Sequence, residues 1–211
     1  MNGKCCAGFF ITFEGIDGSG KSTQARQLAE TLGARLTREP GGSPGAEQIR
    51  RLLVEGEAGR WSAETEILLF TAARRDHLEK TILPALEAGG VIVSDRFADS
   101  TRIYQGVARA TLRDTVDRLH ALMIAQEPDL TFVIDTDPKV ALERGLGRGS
   151  GEDRFESFGV DFQERLRAGF LALAEEYPDR VRVIDGNRAP TAIAAEVAAL
   201  ARDALARRDH G

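Results

Sequence analysis

Phe9-Phe10-Ile11-Thr12-Phe13-Glu14-Gly15-Ile16-Asp17-Gly18-Ser19-Gly20-Lys21-Ser22-Thr23 joins an apolar strand candidate, a glycine-rich turn and a helix start in one run. From Gly15 to Ser22 it satisfies G-x-x-x-x-G-K-[ST]. Phosphate oxygens need several inward-pointing donors, and glycines let consecutive backbone N–H groups converge into an anion nest at a helix N-terminus. The candidate phosphate contacts are therefore Gly15, Ile16, Asp17, Gly18, Ser19, Gly20, Lys21, Ser22 and Thr23. Lys21 adds a mobile positive charge for the β and γ phosphates of a nucleotide, and the Ser22 hydroxyl suits the Mg²⁺ that bridges them. The plain alternative is a glycine-rich turn with a solvated lysine. An apolar strand before the motif and an amphipathic helix after it supply the context that the phosphate-binding reading requires.

The 211 residues suit one large domain with a sizeable core. A net charge of -5 gives no general affinity for nucleic-acid backbone or anionic membrane, so phosphate chemistry must come from local basic clusters. Cys5 and Cys6 are adjacent, where a disulfide between them would be badly strained, which fits a reducing compartment. Met1 to Gly8 carries no long apolar stretch, so the expectation is a cytoplasmic protein with no membrane span. His77, His120 and His210 are scattered, with no partner at metal-ligand spacing, and are expected on helix surfaces or at the terminus.

Strand candidates recur at Ala34–Thr37, Val91–Ser94, Leu130–Asp135 and Val181–Asp185, separated by segments of helical period. That alternation implies a single α/β domain with a mostly parallel five-stranded sheet and helices on both faces, spanning about residues 9–207 between short tails. Between the strands, Arg38-Glu39-Pro40-Gly41-Gly42-Ser43-Pro44-Gly45 predicts a rigid exposed loop at a strand's carboxyl end, either facing a ligand or simply a surface turn with one ion pair. A helix after Ser62 carries Ile67, Phe70, Leu78, Ile82 and Leu86, with Pro84 able to bend it. Phe70 and Arg74 share a face of it, as a stack for a flat base or as a core aromatic beside a surface arginine.

Asp95-Arg96 ends the third strand candidate. A carboxylate there can orient Mg²⁺ or its water, and the arginine offers a bidentate fork for phosphate. Phe97 to Gly106 lacks the period of a core helix and is expected to be a recognition segment. Asp137-Pro138 predicts an N-cap followed by proline in the first turn. The run Glu143 to Arg154 holds four glycines and three arginines, so it is a flexible basic loop or a solvated linker.

These motifs, in this order and spacing, resemble the thymidylate kinases, bacterial type, of the P-loop nucleoside monophosphate kinase superfamily. The resemblance rests on Phe13 to Thr23, Arg38 to Gly42, Phe70 with Arg74, and Asp95-Arg96 followed by Ser100-Thr101 and Tyr104-Gln105-Gly106. It implies transfer of the γ-phosphoryl of ATP to dTMP with Mg²⁺ present, in a homodimer. Phe70 would stack on thymine, Arg74 would bond its edge, and Arg38 and Arg96 would hold the acceptor phosphate, with Glu39 in the same loop. Tyr104 would lie against the sugar, Ser100 and Gln105 would line the base pocket, and Asp17 would sit near the transferring phosphoryl. Residues of about 144–155 would form a lid delivering Arg148, supported by Arg144 and Arg154, in place of the loop arginine that the eukaryotic-type branch holds at the position of Gly18. Asn187 and Arg188 are candidates near adenine, and Asp95 joins Ser22 as a metal candidate. The chain departs from the family's usual pattern at Ser43, where threonine is frequent, and at Ile103, where a small residue usually precedes the tyrosine.

A kinase for another nucleoside monophosphate or for a deoxynucleoside is the nearest alternative. A nucleotide-dependent switch protein is the alternative of another class, but the chain contains no Asn-Lys-x-Asp element to read guanine.

Overall fold

A computed structural model of the chain describes residues 8–56, 59–108, 112–146 and 159–210. Five strands form one sheet in the order β2-β3-β1-β4-β5, every pair parallel. They are β1 (Phe9–Glu14), β2 (Arg35–Arg38), β3 (Val91–Asp95), β4 (Leu130–Asp135) and β5 (Val181–Asp185). The central strand is buried along its whole length, as expected for a parallel sheet covered on both faces.

Strand alternation sorts the core. Phe9, Ile11 and Phe13 of β1, with Leu130, Phe132 and Ile134 of β4, pack under α1 (Lys21–Leu32) and α9 (Pro190–His210). Phe10 and Val133 face the other way, toward Leu78 and Ile82 just after α3 (Ala63–His77), α5 (Ala98–Ala108) and α8 (Val160–Glu176), and Phe10 meets Phe97 edge-on at 4.9 Å. The remaining helices are α2 (Pro44–Val54), α4 (Leu83–Glu87), α6 (Leu112–Met123) and α7 (Pro138–Leu146). After β1 the chain moves to the β3 side of the sheet, and after β3 it crosses to the β4 side. The switch point therefore lies at the carboxyl end of β1, where the glycine-rich loop begins.

Several expectations are corrected. The segment after Phe97 is a helix, α5, and it is mostly buried. Beside the buried Ala98, Ile103 and Tyr104, its inward positions include four polar residues, Asp99, Thr101, Arg102 and Gln105, all under 5% exposed. Asp99 pairs there with Arg102 at 2.8 Å and Arg180 at 2.7 Å, so ionic contacts interrupt the apolar stripe. The loop after β2 is not an exposed turn: Glu39, Gly41 and Ser43 are buried, and Pro44 already opens α2. The helix expected after Ser62 continues through a π-turn, Leu78–Ile82, whose closing bond runs from the Leu83 N–H to the Leu78 carbonyl. This widening comes directly before Pro84, which has no N–H to donate. His77 and His120 are buried rather than on helix surfaces, and α9 runs to His210. Asp137 caps α7 as expected, its Oδ1 accepting the Lys139 N–H at 2.8 Å.

Candidate active site

The glycine-rich loop leaves β1 between two walls. A Cβ at Gly15 would come within 2.7 Å of the Ile134 carbonyl, and one at Gly18, where φ is +80°, would lie 1.9 Å from the Ala141 carbonyl on α7. Only glycine fits such approaches with left-handed backbone. α1 then starts with no side-chain cap and no acid in its first turn, so its positive end is left for an anion in the loop. Lys21 is buried, and its Nζ donates to the Ile16 carbonyl at 3.2 Å and lies 3.5 Å from Asp17 Oδ1. Burial, then the nearby Arg96 cation, lowers its pKa, while Asp17, Asp95 and Glu14 hold the charge in place. Ile16 turns inward to pack near Val133 and Phe170. Ser22 is exposed at the helix start, and Ser19 is buried with no partner for its Oγ among the described residues.

Arg96 is the hub of the site. Its φ of 71° is unusual for a non-glycine residue and is held by its N–H on the Phe13 carbonyl and by its own carbonyl accepting from Ser94 Oγ. From that position Nη2 reaches Asp17 Oδ1 at 2.5 Å and Tyr104 Oη at 3.2 Å, and Nη1 reaches Ser100 Oγ at 2.8 Å and the Gly15 carbonyl at 3.3 Å. Tyr104 also donates to Asp17 Oδ2 at 2.8 Å. Burial alone would raise the Asp17 pKa. The cations of Arg96 and Lys21 and these hydrogen bonds outweigh it and hold the carboxyl well below the usual range. One residue before the loop, Glu14 accepts from Phe97 N at 2.8 Å and Ser100 Oγ at 2.5 Å, tying β1 to the start of α5. Burial and the charge of Asp99 push its pKa up to about 7 against those donors.

A second cluster lies on α3 and α5. Phe70 is half-buried one turn before Arg74. Arg74 is buried, with Nε on Glu39 Oε2 at 2.7 Å and Nη2 on the Phe97 carbonyl and Thr101 Oγ1. Glu39 thus lies beneath the cluster as a holder of Arg74 rather than on open surface. Gln105 Nε2 donates to Glu66 Oε2 at 3.2 Å, joining α5 to α3. Arg38 stands half-exposed at the mouth in a two-point pair with Glu47.

Other expected residues lie apart. Arg144, near the end of α7, donates to the Gly186 carbonyl at 3.3 Å in the turn after β5. Asn187 Oδ1 accepts from the Asp137 N–H, and Arg188 bonds the Asp185 carbonyl. Arg148 and Arg154 lie outside the described residues. For a divalent cation, Asp95 offers a buried Oδ1 with no hydrogen-bond partner among the described residues, and Ser22 offers an exposed hydroxyl. Two oxygen donors of this kind suit Mg²⁺, which takes one or two protein oxygens beside phosphate and water oxygens; no cluster of three or more His, Cys, Asp or Glu able to hold a metal occurs among the described residues.

Sequence reasoning missed Glu14, Thr37 and His77 as site residues. A buried acid closing an apolar strand is a signal that could have found Glu14, whereas the partners of His77 come from β2 and the loop after it.

A phosphate loop at the switch point of a parallel sheet, faced by a buried lysine and a strained arginine, defines a P-loop nucleotide-binding protein. The sequence model of the thymidylate kinase family, described as "Thymidylate kinase", matches residues 13–197. The chain is 67% identical over 195 residues to the thymidylate kinase of Ruegeria pomeroyi, covering 90% of this chain and 92% of that one. It is 44% identical over 212 residues to the thymidylate kinase of Geobacter sulfurreducens, covering 95% and 100%. Its structure is similar to the crystal structure of thymidylate kinase from Ehrlichia chaffeensis, with a TM-score of 0.74 at 36% identity over 92% of this chain and 98% of that one. The chain belongs to the thymidylate kinase family.

Proposed function

We propose that this chain transfers the γ-phosphoryl group of ATP to dTMP, giving dTDP and ADP for dTTP synthesis. The observation that carries the reading is the Arg96–Asp17–Tyr104 cluster, which ties the donor-phosphate loop to the helix expected to face the acceptor. The acceptor phosphate is already anionic near neutral pH, so the attacking oxygen needs no general base, and positioning with charge neutralisation is the whole task. Lys21 neutralises the donor phosphates from inside the loop. Arg96 and Arg38 hold the acceptor phosphate, and Asp17 fixes Arg96 at the junction. Ser22 and Asp95 would hold Mg²⁺, which would supply charge neutralisation for the transferring phosphates.

Phe70 stacks on the thymine ring and Arg74 bonds its edge. Tyr104 borders the sugar, while Ser100 and Gln105 shape the base pocket. Arg148, with Arg144 and Arg154 as supports, brings the lid's positive charge to the transferring phosphoryl. Exposed Leu52 on α2, Leu68 on α3 and Leu122 with Met123 on α6 support a homodimer. A net charge of -5, together with the finding that no described helix is long and apolar enough to cross a membrane, supports a cytoplasmic enzyme with small-molecule partners alone.

The test is ADP release in a coupled assay with dTMP, dUMP, GMP, AMP and CMP as acceptors. dTMP is expected to be best, and dUMP lower by roughly 10- to 200-fold for want of one methyl. Faster turnover of GMP, AMP or CMP than of dTMP overturns the assignment.

A further inference from the structure

Beneath Arg74 runs a buried chain of side chains that the phosphoryl-transfer machinery does not use. His77 is 0% exposed at the last position of α3, three residues after Arg74 and therefore on the same side of the helix. Its Nδ1 lies 2.9 Å from Glu39 Oε1, and its Nε2 lies 2.6 Å from Thr37 Oγ1 on β2. The other Glu39 oxygen accepts the Arg74 Nε–H at 2.7 Å. Glu39 is an acceptor on both sides, so Nδ1 carries the proton that it receives, and in the neutral ring Nε2 accepts from the Thr37 hydroxyl. One direction of donation results: Thr37 to His77, His77 to Glu39, and Arg74 to Glu39.

The rest of Arg74 is held as tightly. Nη2 donates to the Phe97 carbonyl and Thr101 Oγ1, and Cζ sits 5.2 Å over the Phe97 ring. Among the described residues only Nη1 is left with no partner. The loop also closes down on the imidazole. A Cβ at Gly42 would come within 2.4 Å of His77 Nε2, and the Gly42 carbonyl accepts from Thr81 Oγ1 on the π-turn at 2.8 Å. The ring therefore has one place to sit, and with it Glu39.

We propose that His77 is a positioning residue for base selection: through Glu39 it fixes the plane of the Arg74 guanidinium, so that Nη1 presents donors to a carbonyl oxygen on the acceptor's pyrimidine edge. This rests on the thymidylate reading above. A fixed donor favours a base with a 4-oxo group over one with a 4-amino group, because an amino hydrogen would face an N–H with no acceptor between them. Without the imidazole, Glu39 keeps one of its two ties and Arg74 can tilt.

The test uses His77→Phe, which fills the volume without hydrogen bonds, and His77→Asn, whose amide can still donate to Glu39 from near the Nδ1 position. KM and kcat for dTMP, dCMP and ATP are measured with thermal melting on each variant. In His77→Phe the dTMP KM is expected to rise at least roughly tenfold and the dTMP:dCMP ratio of kcat/KM to narrow by a similar factor, with the ATP KM unchanged. His77→Asn is expected to restore most of both. A role in stability alone would lower the melting temperature and leave the dTMP:dCMP ratio of the folded enzyme within twofold of wild type, which overturns the proposal. If His77→Phe does not fold, Thr37→Val, which leaves the imidazole without its far partner, decides by the same ratio: narrowing supports the relay and an unchanged ratio overturns it. Failure of the thymidylate reading is separate, since it shows in the wild type as no preference for dTMP over dCMP.

Discussion

Replacing Glu14 with Gln should remove a pH dependence of stability that belongs to one carboxyl group. Glu14 is fully buried at the end of β1, and its pKa rises from 4.5 to about 7 because burial and the charge of Asp99 outweigh the Arg96 cation and the donors at Ser100 and Phe97. Between those two values the folded state binds more protons at this group than the unfolded chain does. Its stabilising contribution is thus full below pH 4.5 and is lost as pH rises through 7. A pKa raised to about 7 gives a contribution on the order of 1 kcal/mol at pH 6 that is close to zero at pH 8. For a chain of this size, that difference corresponds to a melting temperature a few degrees higher at pH 6 from this group alone, about 2–4 °C. Gln retains the shape and can accept the Phe97 N–H, but it does not titrate. Urea unfolding of wild type and Glu14→Gln at pH 6, 7 and 8 isolates the effect, because Asp99, the acid coupled to Glu14, has its pKa lowered by Arg180 and Arg102 and stays ionised across this range. The stability of wild type relative to the variant should fall by on the order of 1 kcal/mol from pH 6 to pH 8. A gap that stays constant, or widens in favour of wild type as pH rises, would refute the reasoning.

Other outcomes follow from the loop and the lid. Lys21 is buried rather than solvent-facing, so Lys21→Met, which keeps the apolar stem, should melt near wild type yet lose at least roughly 10²-fold in kcat; activity close to wild type would remove Lys21 from the mechanism. Gly18→Ala should lose ATP affinity and stability together, because its Cβ would sit 1.9 Å from the Ala141 carbonyl, and calorimetric ATP titration with a melting curve reads both. For the same reason Gly18→Arg should fail to supply a loop arginine in place of the lid. Arg148→Ala should lower kcat at least roughly 10²-fold with little change in dTMP binding. Wild-type turnover in Arg148→Ala, Arg144→Ala, Arg154→Ala and the triple variant would end the lid's electrostatic role.

What the sequence made legible was governed by local and apolar signals. The phosphate loop and the strand before it are readable, and β2, β3, β4 and β5 fall within a residue of the expected bounds, because short runs bounded by turn residues carry their own evidence. α5 shows no clean apolar period because buried ions and amides interleave with Ala98, Ile103 and Tyr104 on its inward side. Asp99 needs Arg180, 81 positions away, and Gln105 needs Glu66, 39 positions away, and no periodicity in the segment announces either. The loop after β2 looked exposed from its prolines and glycines, yet Glu39 is drawn inward by Arg74 and His77. His77 had no metal-ligand spacing, and its importance appears only when β2 and α3 are brought together. The strain at Arg96 was equally invisible, since it arises from contacts with β1 and Ser94.

The most direct test of the central claim follows the γ-phosphoryl group of ATP. With γ-labelled ATP, Mg²⁺ and dTMP, label should appear in dTDP in equal amount with ADP, and omitting dTMP should leave the nucleotide largely unhydrolysed. Label accumulating as inorganic phosphate at the same rate with and without dTMP would contradict the kinase assignment and favour a nucleotide-hydrolysing switch.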